Sequence, residues 1–161
     1  MPIVPFEKLP DSSRVWVFGS DKLVQGAAAD SLLAAVDQYL SEWRAHGVPL
    51  VAARDWRDSR FLAIGVDTTQ ENASGCSIDG LFRTLRVLEH EIGVRMLGGG
   101  RVFYRANDST EVASRDDFAD LAAKGTITRS TPVFDTSLTT AVDWRTKFEQ
   151  PAGEAWTAGL F

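Results

Sequence analysis

Two strand-like runs separated by only three polar residues place the strongest constraint on the fold. Residues 50–56 and 60–67 are rich in apolar side chains, and Arg57-Asp58-Ser59 is all that joins them. A link this short predicts an antiparallel hairpin, because parallel neighbours need a crossover of a dozen residues or more. The hairpin therefore favours an antiparallel sheet over the parallel, doubly wound sheet that is the main alternative.

The elements around this hairpin complete a strand–helix–strand–strand–helix order. Residues 14–20 are apolar on both faces and predict a central strand. Apolar residues recur at helical spacing over residues 27–45 and again over 78–92, and a short strand is predicted over 94–97. This is the order of a split βαβ unit. We therefore predict a ferredoxin-like α+β sandwich, with two helices on one face of an antiparallel sheet.

Gly98-Gly99-Gly100 is the clearest boundary signal in the chain. Three glycines are costly to order and suggest a hinge or a loop. We therefore predict two units, a ferredoxin-like domain over residues 1–97 and a smaller unit over residues 101–161. The elements predicted for the smaller unit are a strand over 101–105, a returning strand over 111–113, a helix over 115–124 capped by Ser114, and a strand over 131–135.

The smaller unit carries a set of aromatic and small residues in a characteristic order. They are Phe103-Tyr104, Phe118, Leu121-Ala122, Gly125, Ile127-Thr128 and residues 131–134. In this order the segment resembles a GYF-type domain of bacterial proteins, a class of binding modules for proline-rich or hydrophobic peptides. The resemblance implies a GYF-like hairpin and helix and a protein or peptide partner. Together with the aromatic tail, it predicts partner binding through Phe103, Tyr104, Trp144 and Trp156.

Three short segments, spread along the whole chain, carry a second resemblance. They are LPDSSRVWVF near the start, SGCSID in the middle and TPVFD near the end. With these, the chain is similar to an uncharacterised family of short bacterial proteins whose members are often described as ABC transporter ATPases. The residues themselves do not predict that activity, since the sequence contains no G-x-x-x-x-G-K-[ST] and no G-x-G-x-x-G. We therefore expect no ATP hydrolysis and no cofactor.

The residues around the single cysteine form the candidate ligand site. Ser74, Gly75, Cys76, Ser77 and Asp79 stand where the second predicted helix begins, and Arg83 follows one turn later. The N–H groups at a helix start favour anions. The segment predicts an anion-binding site or, with His46 as the base, a cysteine nucleophile. The competing interpretation is structural: a shielded, dispensable cysteine and an ordinary Asp79–Arg83 helix ion pair.

Charge and composition limit the classes of partner. The net charge of −5 argues against a general nucleic-acid binder, although RNA contact through the sheet is a third hypothesis by fold analogy. Residues 51–110 contain eight arginines, no lysine and eight acids. Arginine suits bidentate contacts to carboxylate or phosphate, and surface ion pairs are the simpler explanation. Two distant histidines and one cysteine predict no metal site.

The sequence predicts a cytoplasmic protein. One cysteine excludes an internal disulfide, no apolar run approaches the length of a membrane span, and the first 14 residues lack the order of a signal peptide. The aromatic tail, with Trp144, Phe148 and Trp156, is expected to fold back on its own domain or to dock on a second protomer. We predict a non-enzymatic interaction or adaptor protein. The alternative is a small cysteine-dependent enzyme or anion-binding protein centred on the Ser74 to Asp79 segment.

Overall fold

The molecule is a mixed α+β structure, known here from a computed structural model that describes residues 3–161. In chain order its elements are β1 (Arg14–Gly19), α1 (Gly26–Ser41), β2 (Arg44–Ala45), β3 (Val48–Pro49), β4 (Ala52–Arg57), β5 (Phe61–Val66), α2 (Gly75–Ile92), β6 (Arg101–Ala106), β7 (Ser109–Ser114), α3 (Arg115–Ala123), β8 (Pro132–Phe134), α4 (Ala141–Thr146) and β9 (Glu149–Pro151). Short 3₁₀ helices lie at Phe6–Lys8, Ala152–Glu154 and Trp156–Leu160.

The predicted hairpin is confirmed and lies in a three-stranded antiparallel sheet of order β1-β5-β4. Asp58 and Ser59 adopt left-handed φ angles of 57° and 53°, as a tight primed turn requires. Arg60 N–H closes the turn on Arg57 O at 3.1 Å. Every residue of the central strand β5 is buried, because both faces of this sheet are covered.

Helices α1 and α2 pack together on one face of the sheet, with Leu32, Leu40, Leu81 and Leu85 among the core residues. Helix α1 ends at Ser41, earlier than the predicted 45. The difference has a local cause: His46 and Gly47 take positive φ angles and turn the chain back, so the residues on either side form the small hairpin β2–β3. Helix α2 begins at Gly75 because Ser74 caps it.

The strand predicted over 94–97 is absent among the described elements, and this prediction is wrong. The Glu89 carboxylate accepts hydrogen bonds from the N–H groups of Met96 and Leu97, at 2.5 and 2.7 Å. Arg95 is bonded to Asp21 through both its N–H and its carbonyl. Because these contacts take the backbone groups that a strand would use, residues 94–97 do not pair with the edge of β1.

The second half forms a four-stranded antiparallel sheet of order β7-β6-β8-β9. The predicted returning strand and helix are present as β7 and α3, and Ser114 caps α3 by accepting from Asp117 N–H at 3.0 Å. Helix α3 packs over Val102 and Val133, with Phe118 completely buried between. Helix α4 and strand β9 were not predicted.

An aromatic cluster joins the two sheets. The ring of Phe61, on β5, lies 5.2 Å from Phe103, 4.9 Å from Phe134 and 4.9 Å from Phe148, between ring centroids. Phe61 is fully buried. Residues from both sides of the three glycines therefore share one core cluster, while the division into units 1–97 and 101–161 stays a prediction.

None of the helices within residues 3–161 combines the length and the apolar character that a membrane-spanning segment requires.

Candidate functional site

A cleft of about 860 Å³ runs along the outer edge of β1. One wall is formed by β1 and by Phe82 and Arg86 of α2, and the other by residues 134–139, Arg115 and Trp156. Residues 96–101, including the three glycines, line it between α2 and β6. The volume falls within the ordinary range for ligand sites in proteins.

The outer edge of β1 presents backbone groups that nothing in the described chain uses. Alternate residues of an edge strand point their N–H and C=O toward and away from the neighbouring strand. Val15 N–H donates to Thr139 O at 2.9 Å, so Val15, Val17 and Gly19 are the residues that face away from β5. No hydrogen bond within residues 3–161 involves the outward groups of Val17 or Gly19.

The start of the same edge is already covered. Thr139 accepts from Val15, and Ala141 N–H donates to Ser13 O at 2.9 Å, which gives a single antiparallel bridge between Arg14 and Thr140. The segment 134–139 then runs alongside the cleft. The vacant part of the edge is therefore the stretch from Val17 to Gly19.

Four arginines line the cleft, and three of them lie over aromatic rings. The guanidinium carbon of Arg14 is 4.6 Å from the ring centroid of Trp16, and that of Arg115 is 5.1 Å from Trp156. Arg101 lies 5.2 Å from Phe103, and Arg86 is exposed on α2. None of the four forms an ion pair with a carboxylate of residues 3–161.

Arg101 is the most enclosed of these side chains. It donates to Arg95 O at 2.9 Å, which ties the start of β6 to the segment that follows α2. Burial lowers its pKa, whereas the nearby carboxylates of Asp21 and Glu89 act in the opposite direction. Because an arginine pKa lies far above neutrality, the side chain keeps its charge at pH 7.

The predicted site at the start of α2 is occupied by its own cap. Ser77 N–H donates to Ser74 Oγ at 3.1 Å, and Ser74 N–H donates to Ser77 Oγ at 2.7 Å. Gly75 opens the helix and is exposed. The capping pair thus uses the two serines that were expected to hold an anion.

Cys76 is exposed, so the expectation of a shielded thiol is wrong. The inward positions of α2 are Ser77, Leu81 and Leu85, and Cys76 lies beside that stripe and outside it. His46, its candidate base, is exposed in the β2–β3 turn. No hydrogen bond joins Cys76 to His46 in the described chain.

Asp79 and Arg83 are both exposed on α2 and form no ion pair with each other, contrary to the expectation from their spacing. Arg83 lies close to Tyr39, a residue of α1. Burial raises the pKa of Tyr39, and the charge of Arg83 opposes that shift. Gly80 lies between them in contact with the Tyr39 hydroxyl, where an added Cβ would approach that oxygen to 2.5 Å.

The four predicted partner-binding residues are not together on one surface. Phe103 and Trp144 are 2% and 0% exposed, so they offer a partner almost no surface, and their assignment to a binding surface is corrected. The indole Nε1–H of Trp144 donates to Asp55 Oδ2 at 2.9 Å in a partly buried hydrogen bond. Tyr104 is half-buried against Phe118. Trp156, 44% exposed, lies on the cleft, and Phe103 borders the cleft with almost no exposed surface.

Sequence reasoning missed the residues that define the cleft. Val17 and Gly19 were assigned to a central strand. Their apolar run does not reveal that β1 has a neighbouring strand on only one side. Arg86 and Arg101 belonged to the arginine-rich stretch that was noted, but Arg14 and Arg115 lie outside it. The excess of arginine and the partner-binding prediction for Trp156 were the signals that pointed toward this site.

No family model, curated protein or solved structure matches the chain in the comparisons made. The two family resemblances therefore stay expectations. Within residues 3–161, no group of three or more His, Cys, Asp or Glu side chains is placed to hold a metal ion.

Proposed function

We propose that this protein binds an extended segment of a partner protein by β-strand addition to the outer edge of β1. The observation that carries the proposal is the pair of residues Val17 and Gly19, which line the cleft and whose outward backbone groups have no hydrogen-bond partner within residues 3–161. A strand edge of this kind is a ready template for another chain. In strand addition the main chain provides affinity and the flanking side chains provide specificity.

The dimensions of the edge suit a short segment. A strand advances about 3.3 Å per residue, so the vacant stretch from Val17 to Gly19 would pair with roughly three residues of a partner. Each added backbone hydrogen bond contributes about 1 kcal/mol net. Burial of the partner's side chains against Phe82 and Trp156 would supply the rest of the affinity.

The arrangement of the first half supports a ferredoxin-like description of residues 1–97. Its strand order β1-β5-β4, with α1 and α2 on one face, is the one expected for a split βαβ unit without its final strand. A partner segment at the outer edge of β1 would take the place of that final strand. In this proposal the bound segment completes the sheet.

The second half supports the same role. The order β6, turn, β7, α3 and β8 is the one expected for a GYF-like unit, and it contributes Arg115 and Trp156 to the cleft. A peptide site that is lined by both halves of the chain is consistent with an adaptor protein. A cysteine-dependent enzyme has less support, because in the described chain no base is hydrogen-bonded to Cys76.

The proposal is tested by removing a single amide. Val17→Pro deletes the outward N–H of the edge, and proline is tolerated at such positions because that N–H has no internal partner. Val17→Ala is the matched control: it trims the same side chain and keeps the amide. The probes are fluorescein-labelled octapeptides that alternate Thr with Glu, Gln or Lys, titrated by fluorescence anisotropy.

We expect at least one of these octapeptides to bind with a Kd of about 10–100 μM. Val17→Pro should weaken that binding at least tenfold, and Val17→Ala should change it by less than threefold. Equal binding by the two variants, with both folded by circular dichroism, would contradict strand addition at β1. If Val17→Pro does not fold, the amide exchange measurement at the end of the Discussion decides the question.

A further inference from the structure

We infer that the segment bound at β1 is acidic, and that its Asp or Glu side chains are held by Arg14, Arg86, Arg101 and Arg115. This inference rests on the proposed strand addition and names the chemistry of its ligand. It follows from three features of the cleft: its charge, the position of its guanidinium groups over aromatic rings, and the absence within residues 3–161 of an ion pair between its arginines and a carboxylate.

The charge of the cleft is opposite to that of the molecule. Four arginines and one aspartate line it, a formal charge of +3, whereas the whole chain carries −5. The remainder of the surface repels an acidic segment, and the cleft attracts it. A concave site lined by one sign of charge concentrates the field and raises the association rate of an oppositely charged ligand.

Aromatic stacking leaves the guanidinium groups able to bind carboxylates. The guanidinium carbons of Arg14 and Arg115 lie over the rings of Trp16 and Trp156, 4.6 and 5.1 Å from the ring centroids. The N–H donors of a guanidinium lie in its plane, so stacking does not use them. A stacked arginine therefore presents a pre-oriented fork that matches the two oxygens of a carboxylate.

The one acid of the cleft does not compete for these groups. Asp135 Oδ1 accepts from Ser137 N–H at 2.9 Å and from the Ser137 hydroxyl at 2.5 Å. No ion pair between a carboxylate of residues 3–161 and the four arginines exists. A carboxylate of a bound segment could form the ion pairs that these four arginines lack within residues 3–161.

A single-stranded nucleic acid is the other anion that arginine and aromatic side chains attract. The cleft favours a peptide, because the free N–H and C=O groups of Val17 and Gly19 match the donors and acceptors of another strand. A nucleotide backbone offers acceptors without regularly spaced N–H donors. The acidic balance of the molecule also opposes binding of a polyanion outside the cleft.

The experiment compares the Glu-Thr, Gln-Thr and Lys-Thr octapeptides with a labelled single-stranded octathymidylate, at low and at high salt. We expect the Glu-Thr peptide to bind about tenfold more tightly than the Gln-Thr peptide. Salt should remove most of that difference. Arg86→Gln and Arg115→Gln should each weaken only the Glu-Thr peptide. Arg83→Gln, one turn from Arg86 and outside the cleft, should leave it unchanged.

The outcomes separate the two proposals. Equal affinity for the Glu-Thr and Gln-Thr peptides, lost in Val17→Pro, would overturn the acidic preference and leave strand addition standing. Preferred binding of the Lys-Thr peptide would overturn it as well. Binding of the octathymidylate in place of the peptides would assign the cleft to nucleic acid. Failure of all three peptides to bind at about 1 mM, a level at which even weak recognition is visible, would overturn both proposals.

Discussion

Cys76 and Ser77 are neighbours in the first turn of α2 with opposite environments. The thiol is exposed, whereas Ser77 is 6% exposed and completes the helix cap. We expect Cys76 to react fully with a thiol reagent in the folded protein, and Cys76→Ser to change the free energy of unfolding by less than about 0.5 kcal/mol. Ser77→Ala should cost about 1 kcal/mol, because it removes half of the cap.

Titration with a chromogenic disulfide, before and after denaturation, checks this prediction. A thiol that reacts only after unfolding would show that Cys76 is covered in solution. A loss of peptide binding in Cys76→Ser would also contradict the account, since Cys76 does not line the cleft.

For single residues, the sequence was a better guide to local roles, such as helix caps and apolar stripes, than to burial. The apolar stripe of α2 and the cap at Ser114 follow from local spacing and were predictable. Phe103 was assigned to a partner surface from the GYF-like resemblance, and Trp144 because an aromatic tail can either bind a partner or fold back. Phe103 is buried against Phe61, more than 40 residues earlier in the chain, and Trp144 packs against Phe6, more than 100 residues earlier. No local pattern contains these contacts.

Among the elements, the segment that follows α2 decides whether the edge of β1 is open. Glu89 accepts two backbone hydrogen bonds from Met96 and Leu97, which keeps residues 94–97 away from the sheet. We expect Glu89→Ala to lower the free energy of unfolding by about 2 kcal/mol, since bonds to a charged acceptor are among the stronger ones. It should also weaken peptide binding, because the released segment can compete for the edge.

Urea unfolding and the anisotropy titration measure the two effects. Glu91→Ala is the matched control, two residues further along the same helix and exposed, and it should leave both quantities unchanged. Equal stability of the two variants would contradict the role given to Glu89. Unchanged peptide affinity in Glu89→Ala would show that residues 94–97 do not compete with the bound segment.

The elements themselves were predictable to the extent that their causes are local. The hairpin β4–β5 follows from a three-residue link and the start of α2 from a serine cap. The missing strand over 94–97 could not be foreseen, because Glu89 competes for its backbone groups from another element. The same reasoning explains the early end of α1, where the His46-Gly47 turn outweighs a continuing helical pattern.

Over the whole molecule, the aromatic cluster around Phe61 connects the two sheets. We expect Phe61→Ala to lower the free energy of unfolding by about 3–5 kcal/mol, the usual cost of deleting a buried aromatic ring. Val142→Ala, at an exposed apolar position, should cost about 0.5 kcal/mol or less. Because the cluster joins both halves, the intact chain should unfold in one transition.

Far-UV circular dichroism and tryptophan fluorescence, followed through the same urea titration, test this expectation. Coincident curves would show that the two halves unfold together. Two separate transitions would instead support the division at Gly98 to Gly100 into units 1–97 and 101–161. A change of less than about 1 kcal/mol in Phe61→Ala would show that the cluster does not hold the sheets together.

The central claim is that the outer edge of β1 is vacant and accepts a strand. Amide hydrogen exchange of Val17 and Gly19, measured by NMR with and without the Glu-Thr octapeptide, tests it most directly. We predict fast exchange at both amides in the free protein and clear protection on peptide addition, with Trp16 and Phe18 protected throughout by their pairing with β5. Protection of Val17 and Gly19 in the free protein, or no change at saturating peptide, would contradict the account.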